Sequence, residues 1–298
     1  MKHVETLVRA MGSEGVLAFA CVSTRLVEEA RRRHGAAPTA AAALGRALTA
    51  SSLLSATLEG QQKVTLRILG DGPLGGIVTD TTASGDVRGY VQNPAVHLPL
   101  SGRRKLDVGA AVGRGTLHVT KDLGLRWPYH GSAPLVSGEI AEDLAYYLAQ
   151  SEQVPSAVSL GVLVEPDGRV SAAGGFIVQV MPGADPEARD YLEAHVRALP
   201  PVTQLVQQGA SSADLARAAL GRLGAQILEE RPVRYRCTCS RERVEGVLAL
   251  LGAEEVESLL AQGRAEVRCR FCGEVYVLGR QALQELLWRL RGTRPPVA

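Results

Sequence analysis

Four of the five cysteines in this 298-residue chain fall in its last quarter. Cys237 and Cys239 are separated by one residue, Cys269 and Cys272 by two, and twenty-nine residues lie between the pairs. Two thiol-bearing turns at that spacing can be brought together by the segment between them into a four-thiolate set, which suits tetrahedral zinc. A closed set of four sulfurs leaves no position for water, so the metal it describes is structural rather than hydrolytic. Arg236, Arg241, Arg268 and Arg270 flank the thiols and would favour their deprotonation. Two readings of the motif stand side by side: a plain zinc staple, and a thiol switch whose neighbouring sulfurs close small disulfides when the metal leaves.

The compartment bears on that choice. The only apolar run near the start, residues 15–22, is too brief for a spanning helix and is followed by no cleavage pattern of a secretory signal. The expectation is a cytoplasmic protein with no membrane attachment, where clustered cysteines serve metal or redox chemistry rather than a disulfide framework. Hydrophobic residues at 46% and charged residues at 21% are ordinary globular usage, and a formal charge of +2 makes no case for nucleic acid.

The pattern of elements predicts an α+β fold in three parts. Residues 1–181 form an N-terminal core domain, a mixed and largely antiparallel sheet with packed helices. Its signals are an Ala- and Leu-rich core helix over 39–60, turn-punctuated β runs from 62, a helix over 137–153 with Ser137 as its N-cap, and a hairpin about Pro166-Asp167-Gly168. Residues 182–230 read as a metastable helical linker, opened by Asp185-Pro186 and broken at Pro200-Pro201. Helices of two to three turns are marginal alone, so they must lean on the domains at either side. Residues 231–298 form the small C-terminal zinc-binding domain, with Ser240 capping one helix, Gly252 closing it, and a hairpin about the second cysteine pair. A unit this small often needs a metal to fold.

Beyond the cysteines, "VRGYVQNP" at 87–94, "SGEIAEDLAYYLAQSEQ" at 137–153 and "AAGGFIVQVMPGA" at 172–184 occur in order with "CTCSRER" and "CRFCG". With these motifs the chain resembles, over nearly its whole length, the 33-kDa heat shock chaperone family, the redox-regulated holdases of bacteria. The resemblance implies an inactive, reduced, zinc-bound form and an active, oxidised, metal-free form that binds unfolding client proteins without ATP. It implies Cys237, Cys239, Cys269 and Cys272 as ligands of one zinc ion, and disulfides Cys237–Cys239 and Cys269–Cys272 after oxidation. It also implies a homodimer on activation, and no catalysed reaction.

Other features read more plainly. Cys21 lies in an apolar, strand-like run, as a buried inert thiol would. His3, His34, His97, His118, His130 and His195 have no metal spacing and take packing or surface roles. The "GDGPLGG" at 70–76 lacks a phosphate-cradling pattern and marks a tight turn. "RRRHG" at 31–35 reads as a solvated helix end. A zinc ribbon for nucleic acid is the rival class, because residues 231–298 carry twelve arginines against eight acidic residues. The absence of an interleaved basic and aromatic stripe argues against it.

Overall fold

A computed structural model describes residues 4–102 and 105–292 and divides the chain into two compact units between Arg236 and Cys237. The first unit opens with β1 (Thr6–Met11) and β2 (Val16–Val22), then α1 (Thr24–His34) and α2 (Pro38–Leu54). A meander follows: β3 (Lys63–Gly70), β4 (Gly76–Thr82), β5 (Asp86–Val91), α3 (Val108–Val112), β6 (Gly115–Asp122) and β7 (Tyr129–Pro134). Next come α4 (Ala141–Gln150) and the hairpin of β8 (Ser156–Val164) with β9 (Val170–Val180). The unit ends with α5 (Pro186–Ala198), α6 (Val202–Gln207), α7 (Ser212–Leu220), β10 (Gln226–Pro232) and β11 (Arg234–Tyr235).

These strands form two sheets. One has the order β10-β1-β2-β9-β8 and is antiparallel throughout; the other runs β11-β5-β4-β3-β6-β7, with only β11 and β5 parallel. Helix α2 packs against strands of both sheets, and every one of its residues except Pro38 and Arg46 is buried. An all-round buried helix must be apolar and thin, which its alanines supply. At Gly45 a Cβ would come within 2.5 Å of Val27 Cγ1 and 2.9 Å of Val162 Cγ2, so the close approach needs glycine. Its hydroxyls find partners inside the core: Thr49 with Ser23 at 2.7 Å and Ser51 with Thr81 at 2.6 Å.

The central strands β1, β2 and β9 of the five-stranded sheet bury residues on both faces. Along β2, Phe19 and Cys21 point into the core shared with α2, while Val16, Ala18 and Ala20 point to the opposite side. There they meet Val8 and Ala10 of β1, Phe176 and Val178 of β9, and a cover made by Ala188 and Leu192 of α5, Val202 of α6, and Leu215, Ala216, Ala219 and Leu220 of α7. The predicted linker helices therefore exist, and their apolar stripe lies on the sheet. Helix α7 is held by a reciprocal cap, Ser211 Oγ accepting from Asp214 N at 3.2 Å and Asp214 Oδ2 accepting from Ser211 N at 3.0 Å.

Two local expectations change. The helix predicted from 137 begins at Ala141, and Ser137 is not its cap. Instead the buried Asp143 carboxylate accepts from the backbone N–H groups of Val136, Ser137, Gly138 and Ile140 at 2.7–3.2 Å, folding the preceding residues into a turn with Ile140 at φ 70°. Secondly, residues 226–230, read as the end of a helical linker, form with 231 and 232 a strand that pairs with β1 from Thr6↔Pro232 to Met11↔Gln226. The compact boundary accordingly falls at 236/237 rather than 230/231. Leu, Glu and Arg favour helix locally, but an open sheet edge offers β10 a full ladder of hydrogen bonds.

Arg231 anchors that strand. Its guanidinium donates to Leu58 O at 3.1 Å, Ala83 O at 2.9 Å and Ser55 O, at the end of α2. Burial pulls its pKa down, opposed by the Glu229 carboxylate and reinforced by the Arg9 charge. Arg231→Met would remove the guanidinium donor from Leu58 O and Ala83 O and leave Ser55 O with the Leu58 N–H alone, a loss of about 2 kcal/mol or more. The expected result is a roughly thirtyfold rise in hydrogen-exchange rates of the 226–232 amides, read by mass spectrometry.

Candidate metal centre

The second unit is built from α8 (Arg241–Ala249), α9 (Ala253–Ala261), β12 (Arg264–Arg268), β13 (Val275–Gly279) and α10 (Arg280–Arg291). Eight buried apolar residues, among them Val244, Val256, Leu278 and Leu287, make its core. Ser240 caps α8 as expected, its Oγ accepting from Arg243 N at 3.3 Å. Gly252, at φ 92°, opens α9 rather than closing α8.

Cys237 and Cys239 lie on the stretch just before that cap. Cys269 and Cys272 lie on the turn between β12 and β13, where Cys269 N donates to Glu274 O at 2.9 Å and Gly273 N to Cys269 O at 2.8 Å. Gly273 sits at φ 73°, a conformation that a side chain would strain. The β12–β13 hairpin is as predicted, with register Arg264↔Gly279 to Arg268↔Val275.

The four sulfurs lie within 4.8 Å of one another. Cys237 Sγ is 3.8 Å from Cys269 Sγ, and Cys239 Sγ is 3.4 Å from Cys272 Sγ. Sulfurs about 2.3 Å from a central zinc ion would stand about 3.8 Å apart. The residues therefore fit a tetrahedral thiolate site, and Cys237, Cys239, Cys269 and Cys272 are the groups that could hold such an ion. Burial pushes the Cys269 and Cys272 thiols up, opposed by backbone N–H groups of Phe271 and Cys272 at the first and of Glu274 at the second. Thiols that keep their protons until a cation displaces them bind metal with proton release.

Three of the four flanking arginines have protein partners. Arg236 pairs with Asp86 at 3.5 Å, Arg241 with Glu245 at 3.4 Å and with Val277 O at 3.3 Å, and Arg268 with Gly273 O at 3.3 Å. Two arginines of the basic excess, Arg289 and Arg291, pair with Glu245 and Glu257. Sequence reasoning passed over Tyr276, whose hydroxyl donates to Cys239 Sγ at 3.1 Å. Its signal was the alternation on β13, where Tyr276 shares the inward face with Leu278.

Cys21 is fully buried, and burial raises its pKa strongly, consistent with an inert core thiol. His34, His97, His118 and His130 each meet a hydroxyl, of Tyr235, Thr39, Thr116 and Thr120, and His195 meets Ala218 O at 2.8 Å. His3 lies outside the described residues. The 71–75 segment is a tight turn against α3, with Gly72 N donating to Val112 O at 3.0 Å. Among the described residues no helix is long and apolar enough to cross a membrane.

An α+β body followed by a second compact unit around four clustered thiols defines a class: a two-unit protein whose small unit carries a cysteine cluster that could bind a metal ion. The family model described as Hsp33 protein matches residues 5–279, and the chain belongs to that family of chaperones. It is 52% identical over 291 residues to the 33 kDa chaperonin of Symbiobacterium thermophilum, covering 97% of this chain and 98% of the relative. The 33 kDa chaperonin of Desulforamulus reducens is 50% identical over 286 residues, 95% and 97% of the two chains. The crystal structure of the 33 kDa chaperonin of Thermotoga maritima superposes with a TM-score of 0.89 at 40% identity, covering 96% of this chain and 98% of that one.

Proposed function

We propose that this chaperone is a redox-regulated, ATP-independent holdase that binds unfolding proteins under oxidative stress. The observation that carries the reading is the pairing of two features in one chain: a four-thiol cluster, and a detachable cover over an apolar sheet face. In the reduced, inactive form, Cys237, Cys239, Cys269 and Cys272 would hold one zinc ion, whose contribution is to cross-link the segment before α8 to the β12–β13 turn. In the active form, disulfides Cys237–Cys239 and Cys269–Cys272 consume the donors, and the small unit, left with eight buried apolar residues, loses its fold.

The consequence reaches the cover through the continuous chain at Arg236 and Cys237. Helices α5, α6 and α7 have thirteen, six and nine residues, lengths that hold only while docked. Their departure exposes Val8, Ala10, Val16, Ala18, Ala20, Phe176 and Val178, a contiguous apolar surface for partly folded clients. The role is binding rather than turnover, the compartment is the cytoplasm, and activation brings two copies together as a homodimer.

The test follows zinc, disulfides, oligomeric state and suppression of client aggregation on one sample, before and after peroxide with mild warming. Joint appearance of two disulfides, about one released zinc per chain and suppression supports the reading. Zinc release without any gain in suppression would reduce the cysteines to a staple and sink it.

A further inference from the structure

We propose that Tyr276 is a positioning residue for Cys239, holding that sulfur in the metal set and shielding it from oxidants, so that the four thiols are chemically unequal. The inference rests on the redox-switch reading above and concerns the order and ease with which the switch is thrown.

The geometry is that of an outer-shell hydrogen bond. Tyr276 stands on the inward face of β13, its ring packed against the core that contains Val256 and Leu278. That packing aims its hydroxyl at Cys239 Sγ, 3.1 Å away. On the neighbouring turn, Cys269 and Cys272 receive backbone N–H groups that the turn itself fixes. Cys239 differs in drawing on a side-chain oxygen from another element, across thirty-seven residues of sequence. Outer-shell donors of this kind orient a metal ligand, and losing one typically weakens metal binding by tenfold or more.

The same hydrogen bond matters to oxidation. A thiolate attacks peroxide, breaking the O–O bond to give a sulfenic acid and hydroxide. The neighbouring thiolate then attacks that sulfur, the S–S bond forms, the S–O bond breaks and a second hydroxide leaves. Two electrons pass from the sulfurs to the peroxide, and two protons from solvent complete two waters. The Tyr276 O–H occupies a lone pair of Cys239 Sγ, and that hydrogen bond must break before the sulfur can attack. A hydrogen bond of ordinary net strength slows that attack by roughly fivefold.

The experiment compares the parent and Tyr276→Phe, which deletes one oxygen and keeps the ring, as full-length zinc-reconstituted chains. Zinc affinity is read by competition with a chromogenic chelator. The formation of each disulfide under limiting peroxide is read by mass spectrometry of the separate peptides. The expected result is zinc affinity lower by about tenfold or more, with the rate of Cys237–Cys239 closure relative to Cys269–Cys272 raised by roughly fivefold. The ratio within one chain is the internal control, because a general loosening of the small unit changes both closures together. An unchanged ratio in Tyr276→Phe overturns the proposal, whether or not affinity falls, because a merely structural loss exposes all four thiols alike. If the parent itself binds no zinc or forms no disulfides, the switch reading fails first, and the two failures are distinct.

Discussion

Leu215→Asp is expected to produce a chaperone that suppresses aggregation with all its thiols reduced. Leu215 is fully buried on α7, against the β1–β2–β9 surface. Removing it forfeits roughly 2–3 kcal/mol of apolar burial, and an unpaired carboxylate in that position adds a desolvation penalty of several kcal/mol. A nine-residue helix has no reserve to absorb such a loss. The variant leaves the sheet intact, since its change lies on the cover. Light scattering of a thermally unfolding client should show suppression before any oxidant is added, with new protease sensitivity confined to residues 182–224. Normal redox dependence in this variant would mean that client binding does not use the surface beneath α5–α7.

The second large effect is expected from Cys272→Ser. Cys272 is the buried member of the thiol set, and a hydroxyl in its place removes one of four soft donors. Structural zinc in small domains supplies roughly 10–16 kcal/mol of apparent folding energy, which a core of eight residues has no means to replace. Hydrogen exchange should show residues 237–292 unprotected in the variant, while β3, β4 and β6 in the first unit keep the protection of the parent. Full protection of α8 to α10 without zinc would show that the module folds on its apolar contacts alone.

Both effects were partly legible in the sequence. The spacing of the cysteines pointed to the four thiols that the fold brings within 4.8 Å of one another. Proline and glycine likewise announced α5, the break after Leu199 and the β8–β9 hairpin. What the sequence could not announce depended on neighbours distant in the chain. The strand character of 226–232 arises from an unpaired edge of β1, more than two hundred residues earlier. The turn before α4 belongs to Asp143, a residue inside the predicted helix whose carboxylate reaches back to four amides. The partners of Arg236, Arg241 and Arg268, namely Asp86, Glu245 and backbone carbonyls, were likewise not legible from their places beside the thiols in sequence.

The placement of the cover between β9 and β10 has a kinetic meaning. Its helices occupy residues 186–220, and the strands on either side, ending at Val180 and beginning at Gln226, belong to the same sheet. A cover that lets go is therefore a loop moored at both ends, never a free tail, with β10 pinned by Arg231. Such a loop stays near its own binding face at an effective concentration on the order of millimolar. On the proposed redox switch, every client would have to outcompete that internal ligand. Reducing the thiols again would let the loop displace its cargo by mass action, so that release would draw on the protein's own chain rather than on a nucleotide.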